Sequence, residues 1–162
     1  MAQPTQEQVK KLFDYHQDGY LVWAVNRRRG RIGNKVGIVH PNGYFRTMVN
    51  GKFQSNHRIT FLWHYGYLPE YVDHIDGDKL NNKVENLRPV NAKQNQQNSK
   101  LSSRNSSGYK NVTFCPQTRK WAVKIGVNGK QKTIGRYDDI ELADLVAQEA
   151  RAKYHGAFAR SY

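Results

Sequence analysis

The segment Tyr71 to Asn98, YVDHIDGDKLNNKVENLRPVNAKQNQQN, constrains this chain more than any other stretch. Two β-prone residues, Tyr71 and Val72, lead into Asp73 and His74, which stand side by side. A loop of Asp, Gly and Asn follows, then a short β-prone run around Leu87 to Val90, then a helix that Asn91 can cap, with Gln94 completing a capping box. The order predicts a compact hairpin-plus-helix unit. Neighbours in a regular strand point to opposite faces, so Asp73 and His74 cannot both aim at one group unless the strand ends or twists there. Gly77 and the Asp-rich loop provide a place for that.

The residue types in this segment have definable chemistry. His74, with an ordinary pKa near ~6.5, can take a proton from water at neutral pH. Asp73 and the side-chain oxygen of Asn95 are hard donors suited to Mg²⁺ or Mn²⁺. A calcium loop starting at Asp76 would place Asn81 where Gly is needed and Leu87 where a bidentate Glu is needed, which excludes that reading. Asn81 and Asn82 read as loop-bracing residues rather than ligands.

Charge distribution supports a polyanionic partner. The net charge of +13 resolves into ten basic and four acidic residues over 1–72, four and four over 73–98, and twelve and five over 99–162. The segment bearing the carboxylates is thus neutral between two cationic arms, as a metal-bearing, phosphate-cleaving site between two backbone-gripping arms would be. With 38% hydrophobic residues the chain can pack a core and is not a disordered basic tail. One cysteine, Cys115, excludes an internal disulfide and any multi-thiolate zinc module. No apolar run approaches membrane-spanning length and the N-terminal residues lack a signal-peptide core, so the expectation is a soluble, intracellular protein.

The flanking regions have their own organisation. Thr5 to Tyr15 reads as an amphipathic helix, with Val9, Leu12 and Phe13 at helical spacing, before the β-rich run Tyr20 to Val25. Arg27 to Arg31 forms a basic turn, and Pro41-Asn42-Gly43 and Asn50-Gly51 mark hairpins of a small meander. Arg58 to Tyr65 fits helix or strand by periodicity, and helix is favoured; His57 and His64, within this apolar region, read as structural, with a phosphate-facing role the alternative for His57 or Arg58. The Ser-rich stretch 99–108 reads as a linker. Beyond it, strands over Tyr109 to Phe114, Lys120 to Val127 and Lys130 to Tyr137 precede a helix capped by Asp138 or Asp139 and ended by Gly156. An Ala143, Ala147, Ala150, Tyr154 stripe lets that helix lie close against the sheet.

Asp73-His74, Asn86-Leu87 twelve residues past the His, and Asn95 twenty-one past it together resemble the HNH nucleases, in the phage and intron-homing form whose final His is replaced by Asn. Gly43-Tyr44, the Asn50-Gly51 hairpin, His57-Arg58-Ile59, Gly66 and Pro69 match the same family in style. The resemblance implies a ββα-metal core in which His74 is the general base, Asp73 and Asn95 hold the metal, and Asn86, counted with the catalytic set, braces the loop behind His74. It implies metal-dependent hydrolysis of DNA phosphodiesters, with Mg²⁺ as cofactor, Mn²⁺ able to substitute and no zinc.

Residues 107–159 carry a second resemblance. Ser107 to Val112, Lys120 to Ile125, Ile134 to Tyr137 and the Ala-striped helix ending Tyr154 to Ala159 look like the plant ethylene-response-factor (APETALA-type) DNA-binding domain, which reads the major groove with a three-stranded sheet. Thr113, Cys115, Gln117, Gly126 and Thr133 depart from that domain's Arg and Trp contacts, so its target sequence does not transfer. The expected DNA contacts are Arg27, Arg28, Arg29, Arg31 and Arg58 in the first arm, and Lys110, Arg119, Lys120, Lys124, Lys130 and Lys132 in the second.

The reading is an α+β, two-part DNA endonuclease. Residues 1–98 form the nuclease part (arm 1–70, ββα-metal core 71–98), 99–108 the linker, and 109–162 a sheet-on-helix DNA-binding domain. Its expected partner is double-stranded DNA, with no membrane and no small-molecule cofactor, acting as a monomer or weak dimer in the cytoplasm of a phage or mobile-element host. The alternative is a non-catalytic, sequence-specific DNA-binding regulator, which has no need of a base beside a metal ligand.

Overall fold

The computed structural model describes residues 3–28, 30–98 and 101–159. Two compact units divide between Ala92 and Lys93, ahead of the Ser-rich stretch in which the sequence places a linker.

In the first unit, Thr5 and Gln8 close a reciprocal cap on α1 (Gln6–Leu12), each side chain accepting from the other's backbone N–H. The helix stops at Leu12 rather than continuing to Tyr15, because Phe13–His16 (β1) pairs antiparallel with Tyr20–Trp23 (β2). Val9 and Phe13 are both fully buried. Their spacing of four suits either a longer helix or a helix that passes straight into a strand, and the ladder to β2 decides. Ile38–Val39 (β3), Phe45–Val49 (β4) and Lys52–Ser55 (β5) form an antiparallel meander in chain order. Its second turn is Asn50-Gly51, with φ of 49° and 76°, the positive values this dipeptide tolerates best.

The ambiguous aromatic run is helical, as favoured. α2 (Asn56–Tyr65) buries Ile59, Thr60, Phe61 and Leu62, and Gly66 ends it in the left-handed conformation at φ 78°. Trp63 donates its indole N–H to the Phe13 carbonyl at 2.9 Å, and Gln6 donates to the Trp63 carbonyl at 2.8 Å. These bonds hold α2 against α1 and β1 over a core of Val9, Phe13, Leu21, Val36, Val49, Ile59 and Leu62. Each large side chain so buried contributes about 1.5–3 kcal/mol. Tyr71–His74 (β6) pairs antiparallel with Leu87–Val90 (β7), and Val72 and Leu87 bury against Phe61 of α2. That small cluster anchors the strand carrying Asp73 and His74 to α2. α3 (Ala92–Gln97) begins at the division between the units.

In the second unit, Val112–Cys115 (β8), Lys120–Val127 (β9) and Lys130–Tyr137 (β10) form an antiparallel sheet with β9 in the centre. The strand expected from Tyr109 starts only at Val112. The Ser107 hydroxyl lies 3.0 Å from the Tyr109 carbonyl and 2.8 Å from that of Val112, which shapes a turn there instead. Asn128-Gly129 turns the chain at φ 50° and 76°. Asp139 caps α4 (Ile140–His155), its carboxylate accepting from Leu142 N–H at 2.8 Å. Ala143 and Ala147 of α4 pack on Val112 and Val123 of the sheet. The chain is therefore mixed α/β, with several small antiparallel sheets and four α-helices among the described residues. None of those helices is long and apolar enough to cross a membrane.

Candidate active site

β6 keeps regular pairing through its end, with Asp73 opposite Arg88 and His74 opposite Leu87. The two neighbours therefore have different surroundings, as strand geometry requires. His74 is 3% exposed. Its Nε2 lies 2.9 Å from the side-chain oxygen of Asn82, itself buried. A side-chain oxygen only accepts, so in the neutral ring Nε2 carries the proton and Nδ1 the lone pair.

Aromatic rings close around the same imidazole. His57, from the first turn of α2, meets His74 with ring centroids 4.9 Å apart and planes at 63°. Tyr44 lies 5.1 Å from His57 and 6.0 Å from His74, and the Lys79 ammonium sits 4.6 Å over the Tyr44 ring. Burial, helped by the charges of His74 and Arg58, pushes the His57 imidazole down to about 3, so that ring stays neutral at neutral pH. Burial raises the Tyr44 phenol, and the negative charge of Asp73 adds to this. Tyr44 thus senses both members of the Asp73-His74 pair.

Asp73 is held by an ion pair. Arg88 Nε and Nη2 lie 3.1 and 3.0 Å from Asp73 Oδ2, both side chains being largely buried. The loop between β6 and β7 is organised by Asn86 and Asp76. Asn86 donates to Asp76 Oδ1 at 2.9 Å and to the Asn81 carbonyl at 2.9 Å, and accepts from Asp76 N–H at 3.1 Å. Asn81 donates to the other Asp76 oxygen at 2.7 Å. Burial raises the Asp76 carboxyl, but the bonds from Asn81, Asn86 and Asp78 N–H, with the charge of His74, outweigh it and hold the group below its ordinary range. Asn86 spends both its oxygen and its amide hydrogens on bracing this loop.

The remaining residues read from the sequence are more dispersed. Asn95 lies exposed in α3, three residues beyond the division between the units. Among the described residues no three His, Cys, Asp or Glu side chains converge as a metal cluster. Asp73 and Asn95 each carry a hard oxygen donor of the kind that divalent cations such as Mg²⁺ take. Arg27 stacks over Trp23 at 5.2 Å and with Arg28 lines a pocket of about 350 Å³ that includes Trp23, Met48 and Asn50 but none of the residues around His74. Arg31 is exposed, and Arg29 lies outside the described residues. Arg58 donates to the carbonyls of Glu70 and Pro69 at 3.0 and 3.2 Å, so its terminal nitrogens brace the approach to β6.

In the second unit, Arg119, Lys130 and Lys132 are exposed and Lys120 and Lys124 half-buried. Lys120 pairs with Asp138 at 3.0 Å, Lys110 donates to the Gln97 carbonyl at 3.0 Å, and Lys132 turns to the Tyr154 hydroxyl of α4 at 3.0 Å. Arg136 of β10, opposite Ala122 of β9, is a further exposed cation that the sequence reading did not select.

Comparison with known proteins places this geometry. Residues 55–97, from the cap of α2 to the end of α3, match the HNH endonuclease family. The chain is also 34% identical over 90 residues to protein 3.8 of Escherichia phage T7, an overlap covering 56% of this chain and 74% of that protein. The chain belongs to the HNH endonuclease family. No solved structure matches it.

The HNH domain contains three residues whose part the sequence reading missed. Asn82 appeared as a loop brace and His57 as structural or facing a phosphate, yet both touch His74. Arg88 faces Asp73 only because the β6 and β7 register puts them opposite. An arginine in the strand after an acidic one is a signal that could have suggested a cross-strand pair, whereas nothing local marks Asn82 as the partner of a nitrogen eight residues back.

Proposed function

We propose that this chain is a metal-dependent endonuclease that hydrolyses phosphodiester bonds of duplex DNA, of the phage or mobile-element homing type, with His74 as general base. The observation that carries the reading is the state of His74: buried, bonded through Nε2 to Asn82, and adjoining a carboxylate donor in an HNH domain. Nδ1 takes the proton from a water whose oxygen attacks phosphorus in line, and the bond to the 3′ oxygen breaks, leaving a 5′-phosphate. Asn82 holds the ring in the tautomer this needs, and Asn86 keeps the loop that carries Asn82 in place. Asp73 and Asn95 would hold Mg²⁺ or Mn²⁺, which when bound supplies Lewis-acid stabilisation of the charge developing on phosphate and leaving oxygen.

The second unit is, in this reading, an ethylene-response-factor-like domain that anchors the enzyme on duplex DNA. Its supports are a three-stranded sheet backed by an Ala-striped helix and cations at Lys124, Arg119, Lys130 and Arg136. The division of labour is a nuclease part followed by a DNA-gripping part, in a chain working as a monomer or weak dimer.

Plasmid nicking tests the proposal. Cutting is expected with Mg²⁺, and loss of cutting with EDTA or with His74→Ala; equal cutting in all three conditions would overturn it. Duplex binding with a steep salt dependence and no cleavage under any divalent metal would favour a DNA-binding regulator instead.

A further inference from the structure

We propose that His57 is a positioning residue for the base: its ring packs edge-on against His74 and keeps that imidazole seated on Asn82, with Nδ1 presented for proton abstraction. The inference rests on His74 acting as the base of the proposed nuclease.

Several observations converge on this contact. His57 sits in the first turn of α2, and α2 is locked to β6 through Phe61, Val72 and Leu87, so backbone packing sets the distance between the two histidines. The ring centroids are 4.9 Å apart, and both side chains are buried, at 7% and 3% exposure. Tyr44 closes the third side at 5.1 Å from His57 and 6.0 Å from His74. The depressed basicity of His57 keeps it uncharged, so no second positive charge opposes the imidazolium that forms on His74.

The bond to Asn82 alone is too weak for the task. One neutral hydrogen bond is worth on the order of 1 kcal/mol, which biases the ring's orientation by less than about tenfold. It does not stop the ring from sliding sideways into a space left beside it. A displacement of about 1 Å at a catalytic group costs on the order of a hundredfold in rate. A neutral ring wedged against His74 prevents that drift, and a neutral aromatic edge of any kind does the same job.

The test uses the full chain with Mg²⁺ and supercoiled plasmid, comparing wild type, His74→Ala, His57→Ala, His57→Leu and His57→Phe. His57→Ala is expected to lower the single-turnover cutting rate about 10–100-fold with KM for DNA nearly unchanged, and His57→Phe to restore most of it. His57→Leu fills the volume without an aromatic edge, serves if the Ala variant does not fold, and is expected to lose about tenfold or more. Ring ¹⁵N shifts are expected to report one His74 tautomer in wild type and His57→Phe, and an averaged one in His57→Ala or His57→Leu. Wild-type cutting by His57→Ala or His57→Leu beside an inactive His74→Ala overturns the positioning role and leaves the nuclease reading standing. A wild-type chain that never cuts removes the nuclease reading and, with it, the catalytic meaning of this contact. His74 ¹⁵N shifts unchanged in the Ala and Leu variants overturn the contact's effect on the ring in either case.

Discussion

His74 Nε2 and Asn82 Oδ1 lie 2.9 Å apart, and both side chains are buried. A loop residue thus decides which nitrogen of the imidazole carries the proton. Asn82→Ala is expected to lower the rate of DNA cutting about 10–100-fold, the usual effect of removing a partner that orients a reacting group. DNA affinity should be preserved, because Asn82 is not exposed to a partner. Single-turnover rates beside binding curves check this.

Arg88→Met tests the ion pair across β6 and β7. The two side chains are only 15% and 12% exposed, so the pair is poorly screened. The apo variant is expected to lose about 1.5–3 kcal/mol, the value of a hydrogen-bonded charged group in such a site. Added Mg²⁺ should recover more stability in the variant than in wild type, since the carboxylate no longer shares itself with a guanidinium. Urea unfolding with and without Mg²⁺ measures both effects.

Acid should weaken the fold through His57. In the folded chain this imidazole takes up its proton only near about 3, whereas in the unfolded chain it does so near its ordinary ~6.5. Below ~6.5 the unfolded state therefore binds more protons, and stability falls as pH falls through the window between those values. The slope from this group approaches about 1.4 kcal/mol per pH unit at most. His57→Phe is expected to flatten the slope between pH 6.5 and 4.5, read by urea midpoints at several pH values. Asp76, held below its ordinary range, contributes stability that is lost at lower pH still, as its carboxylate is protonated.

Arg136→Ala tests the sheet of the second unit as a DNA surface. Arg136 is exposed and lies across from Ala122 on β9. If it neutralises one phosphate, the slope of log affinity against log salt should become shallower by about 0.9. Lys132→Ala, whose ammonium is turned to Tyr154, is expected to leave that slope unchanged. Duplex-binding titrations from low to moderate salt distinguish the two.

Much of this was legible one residue at a time. The Asn50-Gly51 turn, the Gly156 helix stop and an Asp cap at 138 or 139 follow from backbone preferences confined to a few neighbours. The β1 strand was not legible, because Val9 and Phe13 suit a longer helix equally well and only pairing with β2 separates the cases. The Tyr109 to Asn111 stretch looked β-prone, yet the Ser107 hydroxyl draws the Tyr109 and Val112 carbonyls into a turn.

The sequence by itself determined the chemical groups and their order: a carboxylate and an imidazole at the end of a strand, an Asn twelve residues on that braces the loop, and cations to either side. Such groups belong to local stretches whose strand, turn and helix tendencies are written in adjacent residues. Only the tertiary structure decided who meets whom: Asn82 at Nε2, His57 against the ring from seventeen residues upstream, and Arg88 on the carboxylate. Those meetings depend on strand register, on the closure of a loop and on a helix docking over a distant strand. Each is a free-energy balance over the whole packed unit, which no local pattern of residues encodes.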